Sequence, residues 1–343
     1  MHRSLNSTTV GIDVAKNVFQ LCGVTAEGKI QFNKSMSRNK LIEYIAKLGV
    51  CEIVMEACGS ANYWARTFQE LGHRVKLIAP QYVKPFVKGN KNDRKDAEGI
   101  VNASRAIGMS FVSPKSVEQQ DLQSILRVRE GYVETRTKVS NQIRGLLGEY
   151  GIVVPLGLSK LRKIVSSLCD RSQENGLTVL MKELLERQYH FLLVLGEQID
   201  CLDLQLKALA QMNEKCQRLL EIEGIGILTA TALYALVGNG SGFKNGRHLS
   251  AFLGLVPKQH SSGGKNRLLG ISKRGDDFVR RMFIHGARSL LRCTEHKTDA
   301  RSRWINALKA RSSFNKVCVA VANKNARIAM AILLSGERYQ KAI

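Results

Sequence analysis

Acidic residues are scarce in this 343-residue chain, with 29 Asp+Glu against 52 Lys+Arg and a formal net charge of +23. Such a surplus is the electrostatic footprint of a polyanion binder. Clustered cysteine is also missing: the eight cysteines never stand closer than the seven residues between Cys51 and Cys58. That spacing excludes a zinc ribbon or a disulfide framework and fits reduced thiols, mostly small buried hydrophobes. The seven histidines form no HxH or HxxxH pair, so no structural metal is expected. No apolar stretch approaches the roughly 20 residues of a membrane span, and no basic-then-apolar leader opens the chain. A cytoplasmic protein with no membrane partner is expected.

What is present is a chain with ample material for packed cores. A hydrophobic content of 44% excludes a largely disordered polymer, and the length suffices for two or three domains. Positive charge is concentrated late. Residues 257–343 hold 19 Lys+Arg against 5 Asp+Glu, which is 14 of the 23 excess charges. Nucleic-acid contact is expected to be heaviest there.

Four carboxylates in the first hundred residues carry the chemistry. Asp13 ends Val-Gly-Ile-Asp, Glu56 ends Ile-Val-Met-Glu, and Asp93 and Asp96 stand at i, i+3 where a helical pattern begins. Two strand ends and one helix face can converge on one point. Like charges brought that close repel unless a cation joins them. A hard divalent ion, Mg2+ or Mn2+, takes carboxylate and phosphate oxygens and serves phosphoryl displacement. Each acid alone is what a solvated strand end or helix cap would carry; the ordered set of four is what points to a metal.

The periodicity predicts strands over 8–13, 18–24, 29–34, 52–56 and 74–78, with helices over 39–48, 62–71 and 93–106. Three hairpin-like strands followed by strand, helix, strand is the layout of a ribonuclease-H-like α/β sheet, with Asp13 on the central strand and Glu56 on its neighbour. Long leucine-bearing helices follow from about residue 116. Leu185, Leu192, Leu195, Ile199, Leu202, Leu206 and Leu209 keep a heptad register, which wants a partner helix from the same chain or from another protomer. Further on, Glu223-Gly224-Ile225-Gly226 resembles a helix-hairpin-helix turn suited to a phosphate, or else is a tight turn between packed helices. Lys258 to Arg267 reads as a polar, glycine-rich, basic loop, of the kind that carries function.

Taken together, Gly-Ile-Asp13-Val-Ala-Lys16, Glu56-Ala-Cys-Gly, Asn92-Asp93-Arg-Lys-Asp96, Glu223-Gly-Ile-Gly226, Gly254-Leu-Val-Pro257, Ser262-Gly263, Ser272-Lys273-Arg274-Gly275 and Arg280-Arg281 resemble the insertion-sequence transposases with a RuvC-like N-terminal and a serine-bearing C-terminal domain. That family includes the bridge-RNA-guided recombinases and the Piv invertases. Tyr63-Trp64-Ala-Arg66 is similar to a run in one branch of it. The resemblance implies a RuvC-like domain over 1–112, a helical coiled-coil and dimerisation region over 113–215, and a mainly α transposase domain over 216–343. It also implies Asp13, Glu56, Asp93 and Asp96 as the acidic tetrad and Ser262 as the nucleophile, with Ser261 directly before it.

The loop would supply Lys258, His260, Lys265 and Arg267 around that serine, while Lys273, Arg274, Arg280 and Arg281, with Lys16, Gly224 and Gly226, would meet nucleic acid. The implied activity is DNA strand exchange through a phosphoserine link on donor and target DNA, on the bacterial nucleoid. A structured noncoding bridge RNA would guide a homo-oligomer, a dimer or a synaptic tetramer. Two other readings stay open: a metal-dependent junction-resolving nuclease without serine chemistry, and a non-catalytic nucleic-acid scaffold.

Overall fold

The computed structural model describes residues 9–87, 92–169 and 176–341; Thr8, placed by its pattern at the head of the first strand, lies outside them. The chain divides into two compact units, one of residues up to 119 together with 240–244, the other of 120–239 with the residues from 245 onward.

The first unit runs β1 (Thr9–Asp13), β2 (Val18–Val24), β3 (Ile30–Ser37), α1 (Arg38–Ala46), β4 (Glu52–Glu56), α2 (Ala61–Glu70), β5 (Arg74–Ile78), α3 (Pro80–Val83), a 3-10 turn, α4 (Asp93–Ser104) and β6 (Phe111–Val112). Its six-stranded sheet has the order β3-β2-β1-β4-β5-β6. Strand β1 is antiparallel to β2 and parallel to β4, so it is central, as its sequence pattern requires. This mixed sheet is consistent with a RuvC-like domain.

Alternation along the strands sends residues to two different covers. Val10, Ile12, Ile53, Met55 and Leu77 pack with Leu41 and Ile45 of α1 and with Trp64 and Phe68 of α2. The opposite face of β4 and β5 offers Val54 and Ile78 to Ile100 and Ala103 of α4, while Cys22 and Val24 of β2 meet Ala97 and Val101. Trp64 is the hub of the first layer, 5.0 Å from Phe19 edge-on and 5.5 Å from Phe68 stacked. Arg66 donates to the Lys115 carbonyl at 2.6 Å, so the Tyr-Trp-Ala-Arg run is largely framework. Gly11 faces α4. A Cβ there would stand 2.5 Å from Val101 Cγ2 and 2.8 Å from the Ala97 carbonyl, so only glycine lets helix and strand approach this closely.

The second unit holds α5 (Val117–Gly148), α6 (Leu158–Leu168), α7 (Val179–Met212), α8 (Glu214–Leu220), α9 (Ile227–Val237), α10 (Gly246–Phe252), a hairpin of β7 (Pro257–Gln259) and β8 (Leu268–Ile271), α11 (Asp277–Leu291), α12 (Ala300–Arg311) and α13 (Phe314–Ser335). Leu185, Leu192 and Leu195 of α7 pack with Val139, Ile143 and Leu147 of α5 and with Leu161 and Val165 of α6. The seam therefore has a partner within its own chain. Arg129 of α5 pins it by donating to both Asp203 oxygens of α7, at 2.5 and 3.1 Å.

Helix α13 corrects the expectation that no segment reaches membrane-span length: at 22 residues it is long and apolar enough by length and composition. Its window of mean hydropathy 1.5 is 56% buried, and it packs against α8, α10, α11 and α12. Burial on several sides explains that composition, because a helix surrounded by others needs apolar residues all round.

Two glycines fix the turn before α9. Gly224 has φ +84, and a Cβ on Gly286 of α11 would overlap the Gly224 carbonyl oxygen. Buried Asn325 and Arg301 donate to the Glu223 carbonyl, each at 3.1 Å. The Gly-x-Gly turn is thus packed against α11, with exposed Gly226 as the N-cap of α9.

All eight cysteines are free thiols. Burial pushes Cys22 and Cys51 up to about 11. With a thiol-alkylating reagent near neutral pH, peptide mass mapping is expected to find exposed Cys201 and Cys293 labelled first while Cys22 and Cys51 stay unmodified in the folded state. Gly286→Ala is expected to destabilise the fold by about 1–3 kcal/mol in urea denaturation, because the added methyl forces the Gly224 turn off α11.

Candidate active site

At the carboxyl end of β1 the chain leaves the sheet, and Asp13 is half-buried at that edge. The last β1–β4 pair is Ile12 with Met55, so Asp13 and Glu56 follow one residue on from paired neighbours. The third and fourth acids come from α4. Asn92 caps it, its side chain accepting from the Arg94 amide at 3.0 Å, and Asp93 and Asp96 lie in its first turn. Acids there oppose the positive end of the helix dipole, which offsets part of their mutual repulsion.

Asp13, Asp93 and Asp96 each bring one ligand atom within 4.8 Å of the others. Three of the four acids singled out by sequence therefore meet. Glu56 stands outside that trio but close by: after burial, which acts first, the charges of Glu56 and Asp13 both push the Cys58 thiol up. The donor set is all oxygen, which fits a hard divalent cation rather than zinc held by sulfur and nitrogen.

Two further residues hold this geometry. Gln20, paired across the ladder with Asp13, donates to Asn33 Oδ1 at 2.6 Å. Asn33 in turn donates to the Arg94 carbonyl at 3.1 Å and to Glu98 at 2.7 Å, tying the first turns of α4 to the sheet. Gln20 is 6% exposed. A polar residue in an otherwise apolar strand was the available signal for it, whereas nothing local marks Asn33.

Ser262 lies elsewhere, at the tip of the β7–β8 hairpin in the second unit. What reads in sequence as a polar loop is a hairpin turn: Ser262 bridges Lys265, whose amide donates to the Ser262 carbonyl at 3.0 Å. Gly263 and Gly264 have φ +55 and +77, the paired positive values that a type I′ turn demands. Gln259 donates to the Ser261 hydroxyl at 3.1 Å; among the described residues none bonds the Ser262 hydroxyl. Lys258, His260, Lys265 and Arg267 are all exposed along the hairpin.

The base of the hairpin is rigid. A Cβ on Gly254 would overlap the Arg274 amide, and one on Gly275 would overlap the Phe252 carbonyl. Lys273 sits between them at φ +54, one of two non-glycine residues with positive φ among those described; the other, Ser60, follows the Glu56 motif. Such strain persists only where the surroundings enforce it, and it gathers at functional sites. Arg280 is buried and donates to the Leu253 and Arg274 carbonyls at 3.3 and 2.8 Å and to Asp277, so it braces this turn. Arg281 pairs with Asp277 at 2.7 Å and with Glu130. Lys273 and Arg274 remain exposed, as does Lys16 in the β1–β2 turn.

Comparison with known proteins bears on both halves. Residues 10–152 match a DEDD transposase model of the IS110 type, and residues 216–303 match the model described as Transposase IS116/IS110/IS902 family. The chain is 48% identical over 331 residues to the transposase for insertion sequence element IS1111A of Coxiella burnetii, covering 96% of this chain and 91% of that one. It is 38% identical to the transposase for insertion sequence element IS1328 of Yersinia enterocolitica, over 98% and 99% of the two chains. A pilin gene-inverting protein of Moraxella lacunata is similar at 22% identity over 76% and 75%. Joined to an acidic cluster on a mixed sheet and a chain rich in positive charge, these matches show that the protein belongs to the IS116/IS110/IS902 family of insertion-sequence transposases and is a DNA transposase/recombinase.

Proposed function

We propose that this transposase cuts and rejoins DNA through a covalent phosphoserine link at Ser262, assisted by a divalent metal at Asp13, Glu56, Asp93 and Asp96 and guided by a noncoding bridge RNA. The observation that carries this reading is the convergence of Asp13, Asp93 and Asp96 within 4.8 Å in a chain of a transposase family. Mg2+ or Mn2+ bound there would neutralise the cluster and polarise a phosphate oxygen.

In the proposed step the Ser262 oxygen attacks phosphorus, the bond from phosphorus to the leaving deoxyribose oxygen breaks, and the serine proton passes to a nearby base. The leaving oxygen takes up a proton. Because one phosphate ester replaces another, the reverse attack by a new deoxyribose hydroxyl rejoins DNA without ATP. Lys258, Lys265 and Arg267 surround the serine with positive charge, which favours an attacking oxygen and a pentacovalent phosphate. Lys273 and Arg274 extend that surface, and the exposed amide end at Gly226 and Lys16 offer further backbone contacts.

The active assembly in this reading is a dimer or synaptic tetramer, in which the acids of one protomer serve the serine of another. Sequence choice is assigned to RNA pairing, with the protein holding backbone and shape.

Protein, flanking noncoding RNA, magnesium and a nicked suicide duplex are expected to give an SDS-resistant protein–DNA adduct. Ser262→Ala and Asp13→Ala should abolish it, and Ser261→Ala should retain it; cut DNA without adduct, indifferent to Ser262→Ala, would establish hydrolysis instead. Asn33→Ala, which frees the first turns of α4, is expected to raise the magnesium concentration needed for half-maximal cleavage by roughly 10- to 100-fold while leaving the circular dichroism spectrum intact.

A further inference from the structure

The second unit carries a groove of about 1050 Å³ beside the hairpin, lined on α10, α12 and α13 by Arg247, Trp304, Lys316, Lys324 and Arg327 and closed by Pro257 and Ile271. No ion pair is made by Arg247, Lys316, Lys324 or Arg327 among the described residues, so four cations face one cleft without a carboxylate. Burial, and then the charges of Arg301 and Arg327, hold the Lys324 ammonium below its ordinary range. An anion in the cleft would relieve that repulsion.

Lys324 instead rests over the Trp304 ring, 4.1 Å from its centroid. Trp304 is half-buried, and its partner lies on α13, where Gly246 of α10 packs so tightly that a Cβ would stand 2.7 Å from the Arg327 carbonyl. Helices α10 and α13 are therefore fixed against each other. A stacked base can take the place of an ammonium over an aromatic ring. Lys324 can yield the ring and keep its charge in the groove.

We propose that this groove binds a single strand of DNA, with one base on Trp304 and its phosphates on Arg247, Lys316, Lys324 and Arg327. The inference rests on the transposase reading of the neighbouring hairpin. DNA is favoured over RNA because of where the groove ends. Pro257 and Ile271 pair across the root of the hairpin, and Asn323 of the groove donates to the Leu255 carbonyl at 3.2 Å, fixing groove to root. From Pro257 to Ser262 is five residues, at roughly 3.3 Å per residue in extended chain. A strand in the groove thus runs within a few nucleotides of the serine, where the strand to be cut belongs.

Tryptophan fluorescence of the full-length protein tests this, because of its two tryptophans Trp64 is only 1% exposed. A short mixed-sequence single-stranded DNA oligonucleotide is expected to quench the emission, and Trp304→Phe to remove the quench while still binding. Trp304→Ala should weaken binding by about 5- to 150-fold. Lys324→Gln with Arg327→Gln should flatten the dependence of log affinity on log salt by about 0.7 per lost phosphate contact. Unquenched wild type, or unchanged affinity in Trp304→Ala with the Trp304→Phe fold verified by circular dichroism, would overturn the proposal. Tighter binding and quenching by RNA of the same sequence would overturn the DNA assignment. Quenching retained in Ser262→Ala supports the groove even where wild type forms no adduct, which separates this inference from the phosphoserine reading.

Discussion

Helix α4 lies against strand β1 with no room for a side chain between them at Gly11, and the acidic cluster exists because of that approach. Asp13 is on the strand and Asp93 and Asp96 are on the helix, so their separation is set by how close the two backbones come. Carboxylates at that distance repel one another. What holds them is apolar packing of Ala97 and Val101 on Cys22 and Val24, the Gln20–Asn33 bridge to Arg94, and the helix dipole. The fold thus stores an electrostatic cost at one edge of the sheet, where a cation can recover it.

A different economy governs the second unit. Its glycine contacts at 224, 254, 275 and 286 lock backbone against backbone, and buried Arg280, Arg301 and Asn325 spend their donors on carbonyls of the turns. From that stiff base the β7–β8 hairpin projects with every residue from Pro257 to Gly270 exposed. Stiffness below and exposure above suit the proposed role of Ser262, which needs a residue that can reach a partner molecule rather than a buried pocket. Positive charge follows the same division: the arginines that brace are buried or paired, while the cations on the hairpin and Arg247, Lys316 and Arg327 along the groove are exposed.

Much of the first unit was legible because its signals are local. Period-two runs and the helical pattern beginning at Asp93 placed β1, β2, β4, β5 and α4 to within two residues, since such patterns act over a few residues. The hairpin around Ser262 was read as a loop because strands of three and four residues carry too little pattern. Asn33 escaped notice for another reason: its partners Arg94 and Glu98 are some sixty residues away. Helix α13 was misjudged as too short an apolar stretch because Lys316, Lys324 and Arg327 interrupt it, although the helix between them is largely core.

By itself the sequence determined the order of elements, the four acids and their strand-end and first-turn positions, the excess positive charge and the family motifs, because each depends on residue type and near neighbours. Only the tertiary structure decided which acids meet, that α7 finds its seam partners in α5 and α6, that Arg280 is a brace, and that Trp304 and Lys324 share a groove with the root of the serine hairpin. Those facts depend on distances between segments far apart in the chain, and packing at glycine-to-backbone contact is what sets them.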